Sequence, residues 1–389
     1  MKLKYKMIFK LGFLGKNRIK LLASLIIGVI IMTVAQSCSA SLYSAEDTRQ
    51  EKIENSEQYD DGKFKNKKET NLMSVGSFFT TMWEWMFGDG IRTPEMDLPS
   101  KKLDWNSFAA KDTANLKASW MGHSSVVLNL NGKIVLTDPV YENSVSFVGP
   151  SRFNDNLPLN IDEIKEIDLV VISHNHMDHL NFKTIKNLKD RVKYFAVPLG
   201  VGSYLEDDCE VPVEKIIELD WWEEFRIDDE LFIAATPAQH FSGRGLTDSD
   251  KSLWASWVIK GKNHSVYFTG DSGYFSEFKN IGEKYGPFDL TMVECGQYNE
   301  KWKLIHMMPE ESVQAHVDVK GKYMLPIHWG AFRLSFHDWF DPINRAVAEA
   351  EKQNVKLTTP IIGEVIDFQN NIPSEKWWLN YIKDENNEE

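Results

Sequence analysis

The 389 residues, of which 42% are hydrophobic and 13 are tryptophan, are enough to bury a large core, so a disordered chain is excluded. The formal net charge of −13 argues against a large nucleic-acid surface, which would need a positive patch. Residues 95–380 contain no fixed-period repeat and no linker-like stretch. The sequence therefore predicts one globular domain, which we place at residues 96–389.

The first 38 residues have the pattern of an export signal. Residues 1–20 carry seven Lys or Arg and no acidic residue, and an apolar run follows at residues 21–35. This run is short for a membrane-spanning helix but normal for the core of a signal peptide. Cys38 follows it closely and resembles the acceptor cysteine of a bacterial lipoprotein signal. We therefore expect an exported, membrane-associated protein that is lipidated at Cys38, held by a signal anchor, or secreted.

Two segments of different composition separate this signal from the domain. Residues 39–72 are polar and charged, which predicts a flexible tether. Residues 73–95 concentrate large apolar side chains, including Trp83 and Trp85, and form an aromatic-rich arm. A helix that inserts into the lipid interface is one interpretation of this arm, and a cover over the domain's own core is the other.

The domain begins with short apolar runs that predict strands. Asn131-Gly132 separates two of these runs and favours a tight hairpin, because both residues accept a positive φ. Helical patterns lie between the later runs, for instance at residues 309–316 and 342–352. Later runs lead, within a few residues, into acidic residues or histidines, namely Asp138, His240, Asp271, Glu294 and His328. Strand ends that meet at one edge of a sheet are where α/β folds place their binding sites.

The most informative stretch is SHNHMDHL at residues 173–180, which holds three of the chain's ten histidines. His174 and His176 directly follow the apolar run at residues 167–172, so an extended backbone sends both side chains to the same side. Asp178 and His179 follow after a turn. One loop can therefore present ligands to two metal ions, and a polar surface loop is the alternative interpretation.

Imidazole and carboxylate ligands favour a divalent ion, with zinc as the first expectation and manganese or iron as alternatives. Seven candidate ligands are too many for one tetrahedral zinc ion but suit two ions that share a carboxylate. We expect two groups with Asp271 between them: His174, His176 and His240, and Asp178, His179 and His328. Two ions about 3.5–4 Å apart can activate a bridging hydroxide for phosphoester hydrolysis.

The residues His174, His176, Asp178 and His179 match the signature HxHxDH, so the chain resembles the metallo-β-lactamase superfamily. Further blocks, including Thr137-Asp138-Pro139, WWEE at 221–224 and GPFDL at 286–290, are similar to the N-acylphosphatidylethanolamine-hydrolysing phospholipases D. These blocks span roughly residues 117–365. The resemblance implies an α/β fold, the αββα sandwich with two mixed sheets and a dimetal site at one edge.

The resemblance also implies a function. The expected enzyme is a zinc-dependent phosphodiesterase that cleaves N-acylphosphatidylethanolamine into phosphatidic acid and an N-acylethanolamine, with Asp178, Asp271 and His306 in catalysis. His306 matches a family histidine near the substrate phosphate, although it could merely precede the helix at Pro309. The expected partners are a phospholipid or other phosphoester and a membrane surface, without nucleic acid, and a homodimer is one option.

Two alternative functions remain open at this point. One is a lactonase or esterase of the same fold that acts on a soluble sugar phosphate, and the other is a non-catalytic exported metal-binding protein. Four residues are expected around the ligands or in the substrate pocket: His123, Asp138, Met177 and Phe147. Met177 stands where the resembling phospholipase has tyrosine, and methionine can fill the same space without offering a hydroxyl group.

Overall fold

The computed structural model describes residues 47–70, 83–84, 88–146, 149–154, 157–245 and 247–382. The expected export signal with Cys38, most of the aromatic-rich arm and Phe147 lie outside the described residues. Among the helices in the described ranges, none is long and apolar enough to cross a membrane.

Two seven-stranded mixed sheets form the centre of the molecule. In spatial order, the first sheet contains β16 (Val365–Asp367), β3 (Leu116–Trp120), β4 (Val126–Leu130), β5 (Lys133–Thr137), β6 (Ile167–Val171), β7 (Val192–Pro198) and β8 (Ile216–Leu219). Neighbours are antiparallel from β16 to β5 and parallel from β5 to β8.

The second sheet repeats this division into an antiparallel half and a parallel half. Its spatial order is β15 (Lys356–Leu357), β14 (Gly321–Ile327), β13 (Phe288–Glu294), β12 (Ser265–Phe268), β11 (Ser256–Lys260), β10 (Leu231–Thr236) and β9 (Glu224–Asp228). Neighbours are antiparallel from β9 to β12 and parallel from β12 to β15.

The hairpin predicted at Asn131-Gly132 is confirmed. Asn131 has φ 55° and Gly132 has φ 87°, and Leu130 pairs with Lys133 across the turn. Positive φ at both central residues matches the twist of the flanking strands. The turn therefore fixes the antiparallel register between β4 and β5.

Side chains alternate between two cores because successive residues of a strand face opposite sides of the sheet. Leu128 and Met292 point into the core between the sheets, while Val127 and Val293 belong to the outer cores. Helices cover both outer faces: α2 (Trp105–Phe108), α3 (Phe182–Leu188), α4 (Val201–Ser203), α5 (Glu277–Lys284), α6 (Pro309–Asp318) and α7 (Asp341–Gln353). The predicted αββα sandwich is confirmed.

The prediction of a flexible tether is wrong over residues 47–70, which we call the N-terminal strap. The strap contains α1 (Asp47–Glu54), β1 (Tyr59–Asp60) and β2 (Lys63–Phe64). Its two apolar anchors, Ile53 and Phe64, are buried in the core between the sheets. Arg49 is 6% exposed and pairs with Glu206 and Glu218. A few buried anchors therefore hold a segment whose overall composition is polar.

The two cysteines outside the export signal do not pair. Cys209 lies in the core outside the first sheet and Cys295 lies in the core between the sheets, and both are free. Burial raises the pKa of the Cys209 thiol to about 12. These thiols are therefore structural rather than reactive.

Candidate metal centre

Loops at the strand ends gather the predicted ligands into one cluster. The loop of residues 173–180 connects β6 to α3, whose first turn is capped by Asn181. On the second sheet, His240 follows β10, Asp271 follows β12, and His328 follows β14 directly. The carboxyl ends of parallel strands meet at the same edge of a sheet, which explains how residues distant in sequence converge.

Three histidines form the first group of candidate ligands. His174 Nε2 lies 2.7 Å from His176 Nδ1, and His240 Nε2 lies 3.2 Å from the same His176 nitrogen. One ring nitrogen of each histidine lies within 4.8 Å of the other two. The structure thus brings together the three residues that the sequence assigns to one ion.

The second predicted group also comes together. Asp178, His179 and His328 offer ligand atoms within 4.8 Å of one another, and His123 joins this cluster. Asp178 Oδ2 lies 3.3 Å from His179 Nε2. His123 is fully buried and its Nε2 lies 2.9 Å from Asp178 Oδ2, within hydrogen-bonding distance. His123 therefore lies behind the ligands, where the sequence places it, and its role remains a prediction.

Asp271 lies between the two groups. Its Oδ2 is 3.1 Å from His179 Nε2 and 3.8 Å from His240 Nε2. Its Oδ1 is 3.1 Å from His328 Nδ1. One carboxylate therefore reaches members of both groups, which is the arrangement that a shared ligand requires.

Buried polar atoms without partners indicate that this cluster fits cations. His179 Nε2 and Asp271 Oδ1 are buried and make no well-oriented hydrogen bond, although each lies 3.1 Å from a polar atom of another candidate ligand. An orphaned buried polar atom is costly unless an ion or another group compensates it. The donor set of imidazole nitrogens and carboxylate oxygens suits zinc, with manganese and iron as alternatives.

Burial also sets the protonation of the cluster. Burial lowers the pKa of His176 to about 4. It lowers the pKa values of three further histidines well below their usual range: His174, His240 and His328. Burial works against the charge of Asp271, but neighbouring imidazoles, that of His179 first, hold its pKa well below the usual range. Neutral imidazoles beside an ionised carboxylate are the forms that bind a metal. His179 differs: burial opposes its charge, but the carboxylates of Asp271, Asp178 and Asp138 hold its pKa well above the usual range, so it would give up a proton to a bound cation.

Hydrogen bonds behind the ligands orient their rings. His179 Nδ1 lies 2.6 Å from Oδ2 of Asp138, which is fully buried, and His240 Nδ1 donates to the carbonyl oxygen of Ile305 at 3.0 Å. In each case Nδ1 carries the proton of this hydrogen bond. Nε2 therefore faces the cluster as the nitrogen that can bind a metal ion. Asp138 therefore lies behind the candidate ligand His179, and its role stays a prediction.

The backbone of the site adopts the left-handed region at three residues that are not glycine. His123 has φ 53°, Asp138 has φ 34° and His328 has φ 68°. Such conformations cost about 1–3 kcal/mol each and cluster at functional sites. Gly270 precedes Asp271 with φ 57°, and a Cβ there would lie 2.5 Å from Cβ of Ser173. Only glycine fits this close approach of the two loops.

His306 has a buried acidic partner whose role was not predicted. Glu294 ends β13, is fully buried, and places Oε2 2.8 Å from His306 Nδ1. Its Oε1 accepts from the backbone N–H groups of Ser272 and Met307. Burial raises the pKa of Glu294 to about 7, and the Glu294 carboxylate raises the pKa of His306 although burial opposes protonation. The position of Glu294 at a strand end was the sequence signal that could have marked it as a site residue. No sequence pattern, however, predicted its contact with His306.

The remaining predicted pocket residues are less informative. Met177 lies half-buried in the signature loop between His176 and Asp178. Phe147 lies outside the described residues. The expectation that these two residues line the substrate pocket therefore stays a prediction.

Comparison with known proteins places this cluster in a family. The model of the beta-lactamase superfamily domain matches residues 133–329, half of the chain. The chain is 35% identical to N-acyl-phosphatidylethanolamine-hydrolyzing phospholipase D 1 of Caenorhabditis elegans over 301 residues, covering 70% of this chain and 84% of the relative. It is 47% identical to the outer membrane protein RomA of Klebsiella pneumoniae over 102 residues, 26% of this chain and 76% of RomA.

A solved structure agrees with the fold. Igni18, described as a metallo hydrolase from Ignicoccus hospitalis, superposes with a TM-score of 0.50 at 22% identity and covers 66% of this chain and 100% of Igni18. The matched segment of the family model contains every candidate ligand, from His174 to His328. The chain therefore belongs to the metallo-β-lactamase superfamily, as a metal-dependent hydrolase.

Proposed function

We propose that this protein is a phospholipase D-type phosphodiesterase that cleaves N-acylphosphatidylethanolamine-like phospholipids into phosphatidic acid and an N-acylethanolamine. The observation that carries the proposal is the carboxylate of Asp271 between two groups of ligands, 3.1 Å from His179 Nε2 and 3.1 Å from His328 Nδ1. Paired metal sites of this kind serve phosphoester hydrolysis. Similarity to the C. elegans phospholipase over 301 residues supports the substrate class.

The ligands are assigned to two divalent ions, with zinc first and manganese or iron as alternatives. His174, His176 and His240 would hold one ion, Asp178, His179 and His328 would hold the other, and Asp271 would be shared. Bound there, the ions supply Lewis acidity to the phosphoryl group and lower the pKa of bound water from about 16 toward about 7.

A residue of the chain itself would then protonate the leaving group. The water oxygen would add to phosphorus as the bond between phosphorus and the ethanolamine oxygen breaks, so that water supplies OH to phosphorus and, in the net reaction, a proton to the ethanolamine oxygen. That oxygen needs a proton, which His306 can donate from Nε2 because Glu294 already holds Nδ1 at 2.8 Å. Asp178 and Asp271 contribute as ligands whose negative charge balances the ions.

The proposed location is the cell envelope, with the protein exported and associated with a membrane. The basic flank, the apolar run at residues 21–35 and Cys38 support export, with lipidation at Cys38 as one route. The name of RomA, an outer membrane protein, is consistent with this location. A membrane-associated enzyme would meet a phospholipid substrate at the bilayer surface.

A substrate panel tests the proposal. The metal-loaded protein is assayed in mixed micelles with N-acylphosphatidylethanolamine, with phosphatidylcholine, and separately with a phosphorylated sugar lactone. We expect the N-acylated lipid to be hydrolysed faster than phosphatidylcholine, and in ¹⁸O-water the label should enter phosphatidic acid because water attacks phosphorus. Hydrolysis of the lactone with neither lipid cleaved would replace the proposal with the soluble lactonase or esterase.

A further inference from the structure

We propose that Asn66 is a positioning residue for the metal ligand His240, which makes the N-terminal strap part of the metal centre. The strap lies outside residues 133–329, which the family model matches. The proposal rests on the assignment of His240 as a metal ligand and on none of the substrate chemistry.

His240 lies in a stretch where no sheet pairing holds the backbone. β10 ends at Thr236, and β11 does not begin until Ser256. Pro237 follows β10 and has no N–H group to donate. The main-chain groups of His240, which is 1% exposed, must therefore find partners elsewhere.

The Asn66 side chain provides both partners. Asn66 Oδ1 accepts from the backbone N–H of His240 at 3.0 Å, and Asn66 Nδ2 donates to the carbonyl oxygen of His240 at 2.6 Å. The side-chain amide of Asn66 thus pairs with both main-chain groups of His240, the N–H and the C=O, as a neighbouring strand would. Because the ring of His240 is held separately through Nδ1 by Ile305, backbone and side chain are both fixed.

Asn66 is itself held in place. Its Oδ1 also accepts from Trp254 Nε1 at 3.0 Å, and its Nδ2 also donates to Thr70 Oγ1 at 2.9 Å. Just before it in the strap, Phe64 is buried in the core and its N–H donates to the carbonyl oxygen of Asp250 at 2.8 Å. The amide therefore acts from a fixed position rather than from a mobile tail.

The consequence concerns metal affinity. A residue that orients a ligand from behind typically changes metal affinity by about 10–100-fold when it is replaced. Without Asn66, the buried N–H and C=O of His240 lose their partners, and the backbone must shift to find others. His240 Nε2 then leaves its place beside His176 Nδ1, now 3.2 Å away.

The test measures metal binding directly in the full chain. Zn²⁺ and Co²⁺ are titrated against a chromophoric chelator in the wild type, in Asn66→Ala and in the control Lys65→Ala. Lys65 is exposed, belongs to the same strap and pairs with Asp60 on the surface. We expect Asn66→Ala to weaken one of the two sites by about 10–100-fold and to change the Co²⁺ absorption spectrum, and Lys65→Ala to bind within about twofold of the wild type.

A second variant covers the case in which Asn66→Ala does not fold. Asn66→Asp keeps an acceptor for the His240 N–H and Trp254 but cannot donate to the His240 carbonyl oxygen, so its affinity should also fall. Wild-type affinity and an unchanged Co²⁺ spectrum in the folded variants would overturn the proposal. The titration contains no lipid, so failure to cleave N-acylphosphatidylethanolamine would overturn the proposed function alone.

Discussion

Glu294, which is fully buried, lies with its Oε2 2.8 Å from Nδ1 of His306, which is partly buried. The carboxylate can only accept from the imidazole, so it selects the form of His306 that is protonated at Nδ1. The N–H of Met307, the residue after His306, donates to Glu294 Oε1 at 3.1 Å. Glu294 therefore fixes both the ring orientation and the adjoining backbone.

Replacing Glu294 with glutamine should slow catalysis without preventing substrate binding. The side-chain amide keeps an acceptor for the Ser272 and Met307 N–H groups but can donate to His306 Nδ1, which reverses the hydrogen bond. We expect kcat to fall about 10–100-fold with KM nearly unchanged. The control is Glu311→Gln, because Glu311 accepts from the Met308 N–H at 2.9 Å in the same segment. Wild-type kcat in Glu294→Gln would contradict this role.

Arg49 should contribute to stability through the strap. Its guanidinium is 6% exposed and bonded to Glu206 at 3.1 Å and to Glu218. Arg49→Met leaves the Glu218 carboxylate, 11% exposed, without its cation, so we expect a loss of about 3 kcal/mol in the free energy of unfolding by urea.

The matched control for Arg49 is an exposed ion pair. Lys102 is 71% exposed and pairs with Glu163 at 2.7 Å. Lys102→Ala should change the free energy of unfolding by less than about 1 kcal/mol, since exposed pairs contribute little. Equal effects of the two substitutions would show that the strap does not stabilise the domain through Arg49.

His316 predicts a pH dependence of stability away from the metal centre. It is 2% exposed, its Nδ1 lies 2.7 Å from Thr291 Oγ1, and burial lowers its pKa to about 4. The folded state binds the proton more weakly than the unfolded state, so stability is full above about pH 6.5 and is lost as the pH falls toward 4. This contribution amounts to at most about 3 kcal/mol.

The measurement compares His316→Gln with the wild type by urea unfolding between pH 7 and pH 4. Metal-free protein is used so that release of metal in acid does not contribute. The other buried histidines are common to both proteins, so the difference between the two pH profiles isolates His316. We expect a shallower profile in the variant, and parallel profiles would refute the prediction.

The parts of the site that the sequence revealed are those with local signals. Apolar runs shortly before His240, Asp271 and His328 marked strand ends, and the structure places all three residues in the cluster. The Asn131-Gly132 turn could also be predicted, because asparagine and glycine accept the positive φ that both positions require.

The parts that the sequence did not reveal depend on contacts between distant residues. Asn66 meets His240 across 174 positions, and Arg49 meets Glu218 across 169. A polar segment such as the strap gives no periodicity from which these contacts could be inferred. Glu294 and His306 are only 12 positions apart, but the irregular loop between them has no periodicity that would predict their contact.

Metal content and turnover measured together in Asp271→Ala test the two-metal centre. The wild-type chain is expected to bind two ions, held in groups that share this carboxylate. Elemental analysis of the variant should show one ion or fewer per chain, and hydrolysis of N-acylphosphatidylethanolamine should be abolished. Full turnover by Asp271→Ala would contradict the two-metal centre.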